Sequence, residues 1–300
     1  MSVIAIFGPT GSGKTAVAEA LAACIPAEVV SADSMQAYRG LPILTNQPER
    51  PTRLVGIWPL DHEGSVGEYA ALAQGAVDAI LAAGRTPVVA GGTGLYLRAA
   101  LAELELPPAP APGVRERFDS LYERVGPARA HALLAERDPA AAEGVHPNDR
   151  RRVVRALELV ETGASLRPDE DRLWSADLRH PTVIVGLDVP RNVLARRIAE
   201  RTERMLGAGA REEAHRAAAG RLSSTARHII GLRELVELPA AEAAAAIEFR
   251  TRRYAAYQRK WMRRIPGLVT LPADRPPGEI AHEILEVARA RELLPAPRAG

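Results

Sequence analysis

Cysteine is nearly absent from this chain of 300 residues, which contains Cys24 alone. A single cysteine excludes an internal disulfide framework and fits a reducing compartment. No run of about 18 apolar residues occurs, so no transmembrane helix is expected. The first residues, MSVIAIFG, show no basic region and no cleavage-like site, and they predict a strand rather than a signal peptide. These absences favour a cytoplasmic protein.

Lysine is almost as scarce as cysteine. Lys14 and Lys260 are the only lysines, so nearly all of the 39 Lys and Arg residues are arginine. A codon bias explains the trend, but it leaves Lys14 as a position where arginine does not serve. A compact ammonium fits among phosphate oxygens where a planar guanidinium does not. The formal net charge of +2 does not by itself indicate a polyanionic partner.

Residues 8–15, GPTGSGKT, match the pattern G-x-x-x-x-G-K-[ST] between a predicted strand and a predicted helix. Glycines let backbone N–H groups converge on an anion, Lys14 neutralises the anion, and the Thr15 hydroxyl is a candidate ligand of Mg²⁺. A chance glycine-rich turn is the alternative. The motif predicts a site for a phosphate chain with Mg²⁺, and it leaves the nature of the ligand open.

The first half of the chain alternates between short apolar runs and helical segments. Strands are predicted at residues 3–7, 28–32 and 87–90, and helices at 14–23 and 69–83. Such alternation predicts a parallel α/β sheet. With the phosphate-binding loop, the expected fold class is α/β, a P-loop NTPase-like parallel sheet flanked by helices, with an all-helical insertion domain.

The insertion begins after LPPAPAPG, at 106–113, whose four prolines are typical of a linker. Helices alone are predicted beyond it, at 114–125, 127–136 and 150–161, the last capped by Asn148 or Asp149. A strand returns at 182–189, followed by helices at 191–206 and 242–264. The expected domains are a discontinuous core of 1–108 and 180–290, an insertion of 109–179, and a flexible tail of 291–300. The chain from Pro272 on is expected to be frayed.

Candidate catalytic residues follow two of the strands. Asp33, in VVSADSMQ, lies at the sheet edge where open α/β sheets bind ligands. It is a candidate general base, Mg²⁺ partner or ribose contact, with a helix N-cap as the alternative, and Gln36 could contact an adenine edge. GGTGLY, rather than an acid, follows the third strand, which weakens an ATPase interpretation unless Asp188 substitutes. Thr93 could donate a hydrogen bond to a phosphate or to the oxygen at the reacting carbon.

Two predicted helices are rich in arginine. Arg151, Arg152 and Arg155 share a face in HPNDRRRVVRALE, which indicates either a solvated face or contact with a phosphodiester backbone. FRTRRYAAYQRKWMRR, at 249–264, interleaves arginine with aromatics. By itself it favours an amphipathic helix packed on the core, with one stripe formed by Phe249, Tyr257, Trp261 and Ile265.

Six blocks resemble a known family: GPTGSGKT, SADSMQAYRGL, VVAGGTGLYL, HPNDRRRVVRALE, ARHIIGLREL and TRRYAAYQRKWMRR. Their order resembles that of tRNA dimethylallyltransferases, also called tRNA isopentenyltransferases, over about residues 3–265. The resemblance implies transfer of a dimethylallyl group from dimethylallyl diphosphate to N6 of the adenosine just 3′ of the anticodon. It implies Mg²⁺ as cofactor, and tRNA (the anticodon stem-loop) and dimethylallyl diphosphate as partners. A monomer without a membrane partner is expected.

The resemblance also implies site residues. The implied diphosphate-binding residues are Gly8, Thr10, Gly11, Ser12, Gly13, Lys14 and Thr15, with Thr15 as the metal ligand. The implied catalytic residues are Asp33 as the base for N6, Thr93 at the reaction centre, Lys14, and Arg201 as a second support for the diphosphate. The implied tRNA-binding residues are Asp33, Ser34, Met35, Gln36, Arg151, Arg152, Arg155, His228 and Arg233. The insertion would clamp the anticodon stem.

Some segments depart from the family pattern. LTNQP stands where the family has GTAKP, so Gln47 replaces a lysine, and PTRLVGIW lacks a pair of histidines. His228 replaces a glutamine, and AAYQ replaces AKRQ. These departures concern the expected tRNA contacts more than the chemistry.

Two other functions are compatible with these residues. A small-molecule kinase of the P-loop class would use ATP, with Asp33 holding the acceptor hydroxyl. An RNA-binding or nucleotide-gated interaction protein would use the arginine-rich helices and keep the loop for structure only.

Overall fold

A five-stranded parallel sheet organises the larger part of the chain. The computed structural model describes residues 2–104, 106, 111, 113–167 and 172–294. The strands are β1 Val3–Phe7, β2 Ala27–Ser31, β3 Thr86–Gly91, β4 Thr182–Asp188 and β5 Val269–Pro272, in the order β2-β3-β1-β4-β5. β1 is central, with Ile4 opposite Val88 on one side and Val183 on the other.

Twelve helices occur in the described part of the chain. They are α1 Lys14–Cys24, α2 Val66–Ala82, α3 Gly94–Leu101, α4 Val114–Val125, α5 Pro127–Arg137, α6 Pro139–Glu143, α7 Arg150–Glu161, α8 Arg191–Gly207, α9 Ala210–Ala218, α10 Leu232–Glu237, α11 Ala240–Met262 and α12 Pro277–Ala290. No helix in this part combines the length and apolar character needed to cross a lipid bilayer.

The chain divides into two compact units. The first comprises Met1–Glu103 and Ala176–Gly300 and contains the sheet. Its core joins strand residues such as Ile6 and Val185 to Leu21 of α1 and Ile284 of α12. Strands buried on both faces are near-continuous apolar runs, which is why VIAIF carries no polar residue. The prediction of a parallel α/β sheet flanked by helices is confirmed.

The second unit, Leu104–Ser175, contains α4 to α7. Phe118, Leu134, Val153 and Leu157 form its buried core. Asp149 caps α7, because its side chain accepts a hydrogen bond from the backbone N–H of Arg152 at 3.2 Å. Residues 107–110 and 112 of the predicted linker lie outside the described residues, and so do 295–300 of the predicted tail.

Two predictions about the C-terminal third are wrong. The chain beyond Pro272 is not frayed, since α12 buries Ile280, Ile284 and Leu285 in the core of the first unit. α11 does not bury its whole aromatic stripe, because Phe249 and Tyr257 are exposed. α3, α6, α9 and α10, which are short, and β5 were not predicted.

We expect α12 to contribute to global stability. Ile284→Ala should lower the free energy of unfolding by about 2–5 kcal/mol, because it removes a fully buried side chain. Denaturant unfolding followed by circular dichroism measures this value. Glu286→Ala, on the exposed side of the same helix, is the matched control and should stay within about 0.5 kcal/mol of the parent. Equal stability of both variants would contradict the placement of α12 in the core.

Candidate active site

The loop between β1 and α1 has the geometry of an anion cradle. Gly11 and Gly13 have φ of +81° and +88°, a region that favours glycine. A Cβ at Gly8 would lie 2.7 Å from the Ser12 Oγ, so that position is also restricted. The buried Ser12 Oγ has no hydrogen-bond partner among the described residues. The loop therefore offers a hydroxyl and the N-terminus of α1, whose first turn holds no acidic residue, to an anionic ligand.

Lys14 is folded back onto its own loop. Its Nζ donates to the carbonyl oxygens of Gly8 at 2.9 Å and Pro9 at 3.0 Å. Burial lowers the pKa of the Lys14 ammonium to about 8; the charge of Asp33 opposes this shift and that of Arg201 adds to it. In the absence of a ligand, Lys14 therefore loses its proton more easily than an exposed lysine does.

Arg201 reaches the same loop from α8. Its Nη1 donates to the Thr10 Oγ1 at 2.7 Å. Burial lowers the pKa of this guanidinium, and the negative charge of Asp33 opposes the shift. An arginine stays protonated under such conditions. Two basic side chains from distant parts of the chain, Lys14 and Arg201, therefore meet beside the cradle.

Asp33 lies two residues beyond the end of β2. Its Oδ1 accepts a hydrogen bond from the backbone N–H of Met35 at 2.9 Å, which fixes the turn that follows the strand. Gln36 is anchored on both sides of its amide, because its Oε1 accepts from the Ser31 Oγ at 2.8 Å and its Nε2 donates to the Asn46 carbonyl at 2.8 Å. Gln36 therefore has a structural part in the loop after β2.

Thr93 connects three segments. Its Oγ1 accepts from the backbone N–H of Ser34 at 3.2 Å and lies 3.3 Å from the hydroxyl of Tyr254 on α11. The glycines around it are required by packing: a Cβ at Gly91 would overlap the backbone of Ala32, and one at Gly94 would overlap the ring of Trp261. GGTG is thus a segment pressed between β2 and α11.

Two residues of α11 were not predicted as part of this site. Gln258 is buried, its Oε1 accepts from the backbone N–H of Thr10 at 2.7 Å, and its Nε2 donates to the Gly92 carbonyl at 2.9 Å. An N–H donor on one side and a carbonyl on the other fix the orientation of the amide. Burial raises the pKa of the Tyr254 hydroxyl and the charge of Asp33 raises it further, so this group stays protonated. In the sequence, the pattern that could have indicated them is the four-residue spacing of Tyr254 and Gln258 in TRRYAAYQ, which places both on one face of a helix.

A cavity of about 470 Å³ brings many of these residues together. Its polar lining includes Thr10, Lys14, Thr15, Asp33, Gln36, Arg201 and Tyr254, and its apolar lining includes Leu44, Ile198, Met205, Ile230 and Ile247. Gly11, Gly13 and Met35 also line it. The lining combines four basic side chains, Lys14, Arg197, Arg201 and Arg204, with the two carboxylates of Asp33 and Glu200, hydroxyl groups and apolar surface. This combination suits an anionic ligand with an apolar portion.

Seven of the first-unit candidates lie outside this lining: Gly8, Ser12, Ser34, Thr93, Asp188, His228 and Arg233. Asp188 is engaged with Arg259 at 2.6 Å and is not a cavity residue, so it does not replace the acid missing after β3. The His228 Nδ1 contacts the Ser224 carbonyl oxygen at 2.7 Å, and Arg233 pairs with Glu237 on the exposed side of α10 at 3.5 Å. Thr93 does not line the cavity itself, but it contacts Tyr254, which does.

The arginines of α7 differ from one another. Arg151 and Arg152 are exposed at the start of the helix. The Nη1 of Arg155 instead donates to the buried carboxylate of Glu158 at 2.9 Å, and Arg115 contacts the other oxygen of that carboxylate. A buried carboxylate needs such a partner. Arg155 therefore has a structural role within the second unit, which sets it apart from the other two.

Comparison with known proteins shows the family to which this chain belongs. A family model described as IPP transferase matches residues 36–265, and one described as isopentenyl transferase matches residues 1–53. The chain belongs to the IPP transferase family. A tRNA dimethylallyltransferase of Salinispora arenicola is 41% identical, with 90% of this chain and 82% of the relative covered. One from Streptomyces coelicolor is 42% identical, with 88% of each covered.

A solved structure resembles the whole chain. The tRNA isopentenylpyrophosphate transferase of Bacillus halodurans superposes with a TM-score of 0.69 at 29% identity, covering 97% of this chain and 98% of that one. The recognition of the family from six sequence blocks is thereby confirmed, as is the P-loop-like fold.

One departure from the family pattern has a structural consequence. Gln47, which stands where the pattern has a lysine, donates its Nε2 to the carbonyl oxygens of Tyr38 at 2.8 Å and Gln36 at 3.3 Å. These bonds tie the loop after β2 to itself. Gln47 thus supports the segment that carries Met35 and Gln36 to the cavity.

We expect the affinity for an alkyl diphosphate to depend on pH through Lys14. The ammonium is charged below its pKa of about 8 and loses its proton above it, so affinity should fall as pH rises through that value. The limiting slope is about tenfold per pH unit. Calorimetric titration with an alkyl diphosphate at a series of pH values measures it. Lys14→Gln should bind weakly without this inflection, and a pH-independent affinity of the parent would contradict the assignment.

Gln258→Ala should weaken binding of the same ligand, and it should also lower the free energy of unfolding. The variant leaves the N–H of Thr10 and the carbonyl of Gly92 without their partner, at a cost of about 1–3 kcal/mol in unfolding free energy. The matched control is Gln74→Ala, since the Gln74 amide also makes two hydrogen bonds to the backbone, donating to the carbonyls of Ala99 and Ala102 away from the loop. The control should lose stability and keep its ligand affinity. Equal affinities in the two variants would contradict a positioning role for Gln258.

Proposed function

We propose that this protein transfers a dimethylallyl group from dimethylallyl diphosphate to N6 of the adenosine 3′-adjacent to the tRNA anticodon. The products are N6-isopentenyladenosine and diphosphate. The observation that carries this proposal is one cavity lined by Asp33, the phosphate-binding loop, basic side chains that include Lys14 and Arg201, and an apolar surface. The relatives named above are tRNA dimethylallyltransferases, which agrees with it.

The diphosphate is bound by the loop and by Arg201. The N-terminus of α1 and the unpaired Ser12 hydroxyl supply donors, while Lys14 and Arg201 supply charge. Lys14 exchanges the carbonyls of Gly8 and Pro9 for phosphate oxygens when the ligand binds. The ligand raises the pKa of Lys14, because an anion favours the charged form.

Mg²⁺ fits this site as a partner of the diphosphate. The Thr15 hydroxyl and the Asp33 carboxylate line the same cavity, and both are oxygen ligands of the kind that Mg²⁺ prefers. No group of three or more His, Cys, Asp or Glu side chains suited to a metal occurs in the described part of the chain. The ion would therefore be held through Thr15 and the substrate, and it would neutralise charge on the leaving diphosphate.

Asp33 is the proposed general base. The lone pair of N6 forms a bond to C1 of the dimethylallyl group while the C1–O bond breaks, and the diphosphate leaves with the electron pair of that bond. N6 loses one proton, which the Asp33 carboxylate accepts. The Tyr254 hydroxyl stays protonated beside Thr93 and is a hydrogen-bond donor at this end of the cavity. Lys14 and Arg201 stabilise the charge that develops on the leaving oxygen.

The apolar part of the cavity lining explains why the proposed donor carries a hydrocarbon group. Leu44, Ile230 and Ile247 offer a surface for a branched hydrocarbon, and burial of each carbon of that group contributes about 0.8 kcal/mol. A kinase would need polar groups for an acceptor hydroxyl and an acid for its Mg²⁺. The strand that usually carries this acid ends here in GGTG, and the relatives are named for prenyl transfer.

tRNA contacts complete the proposal. Ser34, Met35 and Gln36 surround the adenine, and Arg151, Arg152, His228 and Arg233 contact the anticodon arm, while the unit Leu104–Ser175 clamps its stem. Arg155 contributes less charge, because Glu158 neutralises it. The adenosine must leave its stack to reach Asp33. A monomer and a cytoplasmic location remain part of the proposal.

Mass spectrometry of the RNA product tests this function. The protein is incubated with Mg²⁺, tRNA and either dimethylallyl diphosphate or ATP. An isopentenyl group on one adenosine is expected with the first donor only. Consumption of ATP without tRNA would favour the kinase, and retention of tRNA without product would favour a binding protein.

Asp33→Asn should lower the single-turnover rate of transfer by about 10²–10⁴-fold, the usual contribution of a general base. The amide has nearly the same shape as the carboxylate but cannot accept the proton, so tRNA affinity should change little. Single-turnover assays and filter binding measure the two quantities. A near-parental rate would show that Asp33 only orients N6.

A further inference from the structure

Two aromatic side chains are exposed on one helix. Among the described residues, three large apolar side chains are exposed: Leu72 at 42%, Phe249 at 56% and Tyr257 at 54%. The two aromatic ones lie eight residues apart on α11 and therefore on one side of it. Only 4% of the residues of the chain are aromatic, so two exposed aromatic side chains on one helix surface indicate a binding surface.

Arg253 completes this surface, which we call the α11 stripe: Phe249, Arg253 and Tyr257. The guanidinium carbon of Arg253 lies 5.8 Å from the centroid of the Phe249 ring. Tyr257 packs against Trp261, with ring centroids 6.4 Å apart and planes at 69°. The stripe thus presents three planar groups in succession, and its rings are held by neighbouring side chains.

The charge around the stripe is positive. From Phe249 to Arg264 the sequence FRTRRYAAYQRKWMRR contains seven basic residues and no acidic one. Three of them pair with carboxylates outside this segment, Arg250 with Glu234, Arg252 with Glu248 and Arg259 with Asp188. The other basic residues, which include Arg253 of the stripe, leave the segment net positive. An exposed apolar surface intended for another protein would not need this field, whereas a polyanion is attracted by it. Aromatic rings among basic residues are the usual composition of surfaces for unpaired nucleic-acid bases.

The stripe lies beside the cavity. Ile247, Thr251 and Tyr254 of the same helix line the cavity, and Tyr257 is one turn beyond Tyr254 and contributes to its raised pKa. α11 therefore presents one face to the cavity and the stripe on the neighbouring face. An RNA that places one base in the cavity carries its adjoining nucleotides over this region.

We propose that Phe249, Arg253 and Tyr257 form a stacking platform for the unpaired bases next to the adenosine that enters the cavity. The inference rests on the proposed function, since it concerns the same RNA. Flipping the adenosine removes a stacking partner from its neighbours, and planar side chains replace it. Phe249 and Tyr257 are about 12 Å apart along the helix axis, so they contact different nucleotides. Tyr257 stands where the family pattern AKRQ has arginine, so this contact belongs to this chain.

Fluorescence binding tests the platform. The probe is an anticodon stem-loop RNA with 2-aminopurine, whose fluorescence is quenched by stacking, at each unpaired position beside the target adenosine. Tyr257→Ala should weaken binding by about 5- to 150-fold, the range observed for the loss of one stacked base, and should relieve quenching at one position. Phe249→Ala should relieve it at another position, and Tyr257→Phe should keep both affinity and quenching.

Leu72→Ala is the matched control, because it removes an exposed apolar side chain from α2 and should bind RNA as the parent does. Parental affinity and quenching in Tyr257→Ala and Phe249→Ala would overturn the proposal, as would an equal loss of affinity for fully paired RNA. A parent that dimerises through Tyr257, with RNA binding unaffected by its loss, would identify a protein interface instead and also overturn it. If the parent binds and modifies RNA while the variants match it, only the platform fails. A parent without transferase activity overturns the proposed function separately.

Discussion

One buried amide joins the two loops on which the site depends. Gln258 of α11 binds the backbone of Thr10 in the phosphate-binding loop and that of Gly92 after β3. The helix must lie directly on both loops for these bonds to form, and this closeness is why a side chain at Gly92 or Gly94 would overlap Gln258 or Trp261. The same placement brings Tyr254 to Thr93. The position of α11 therefore determines how the phosphate-binding loop and the segment after β3 lie relative to each other.

Basic and acidic side chains line the same cavity, and their effects on the pKa of Lys14 do not cancel. Burial lowers the pKa of the Lys14 ammonium, Arg201 adds to this shift, and Asp33 opposes it only in part. A ligand with two or more negative charges would relieve the repulsion between the two cations, so we expect the site to favour such a ligand.

Local patterns allowed part of this site to be predicted. GPTGSGKT and Asp33 carry their signals within a few residues, because strand, turn and helix are consecutive there. Gln258 and Tyr254 could not be found in this way, since their roles arise only when α11 packs on loops more than 150 residues earlier. α12 was missed because Pro276 and Pro277 suggest an interruption, whereas prolines at the first positions of a helix favour its start. The pairing of Arg155 with Glu158, one turn away, was not predicted, and a contact of Arg155 with tRNA stays a prediction.

The order of the strands has a consequence for synthesis of the chain. β1 pairs with β4, and Val3 lies opposite Thr182. The central strand therefore has a neighbour on both sides only after the chain has been synthesised through β4. Arg201 and Gln258 reach the phosphate-binding loop later still. A ribosome-bound chain that ends within the helical unit therefore has an open sheet edge, and its phosphate-binding loop lacks the contacts of Arg201 and Gln258. The core of such a chain stays incomplete until its last third emerges, and during that interval its exposed strand edge is a point for chaperones to protect.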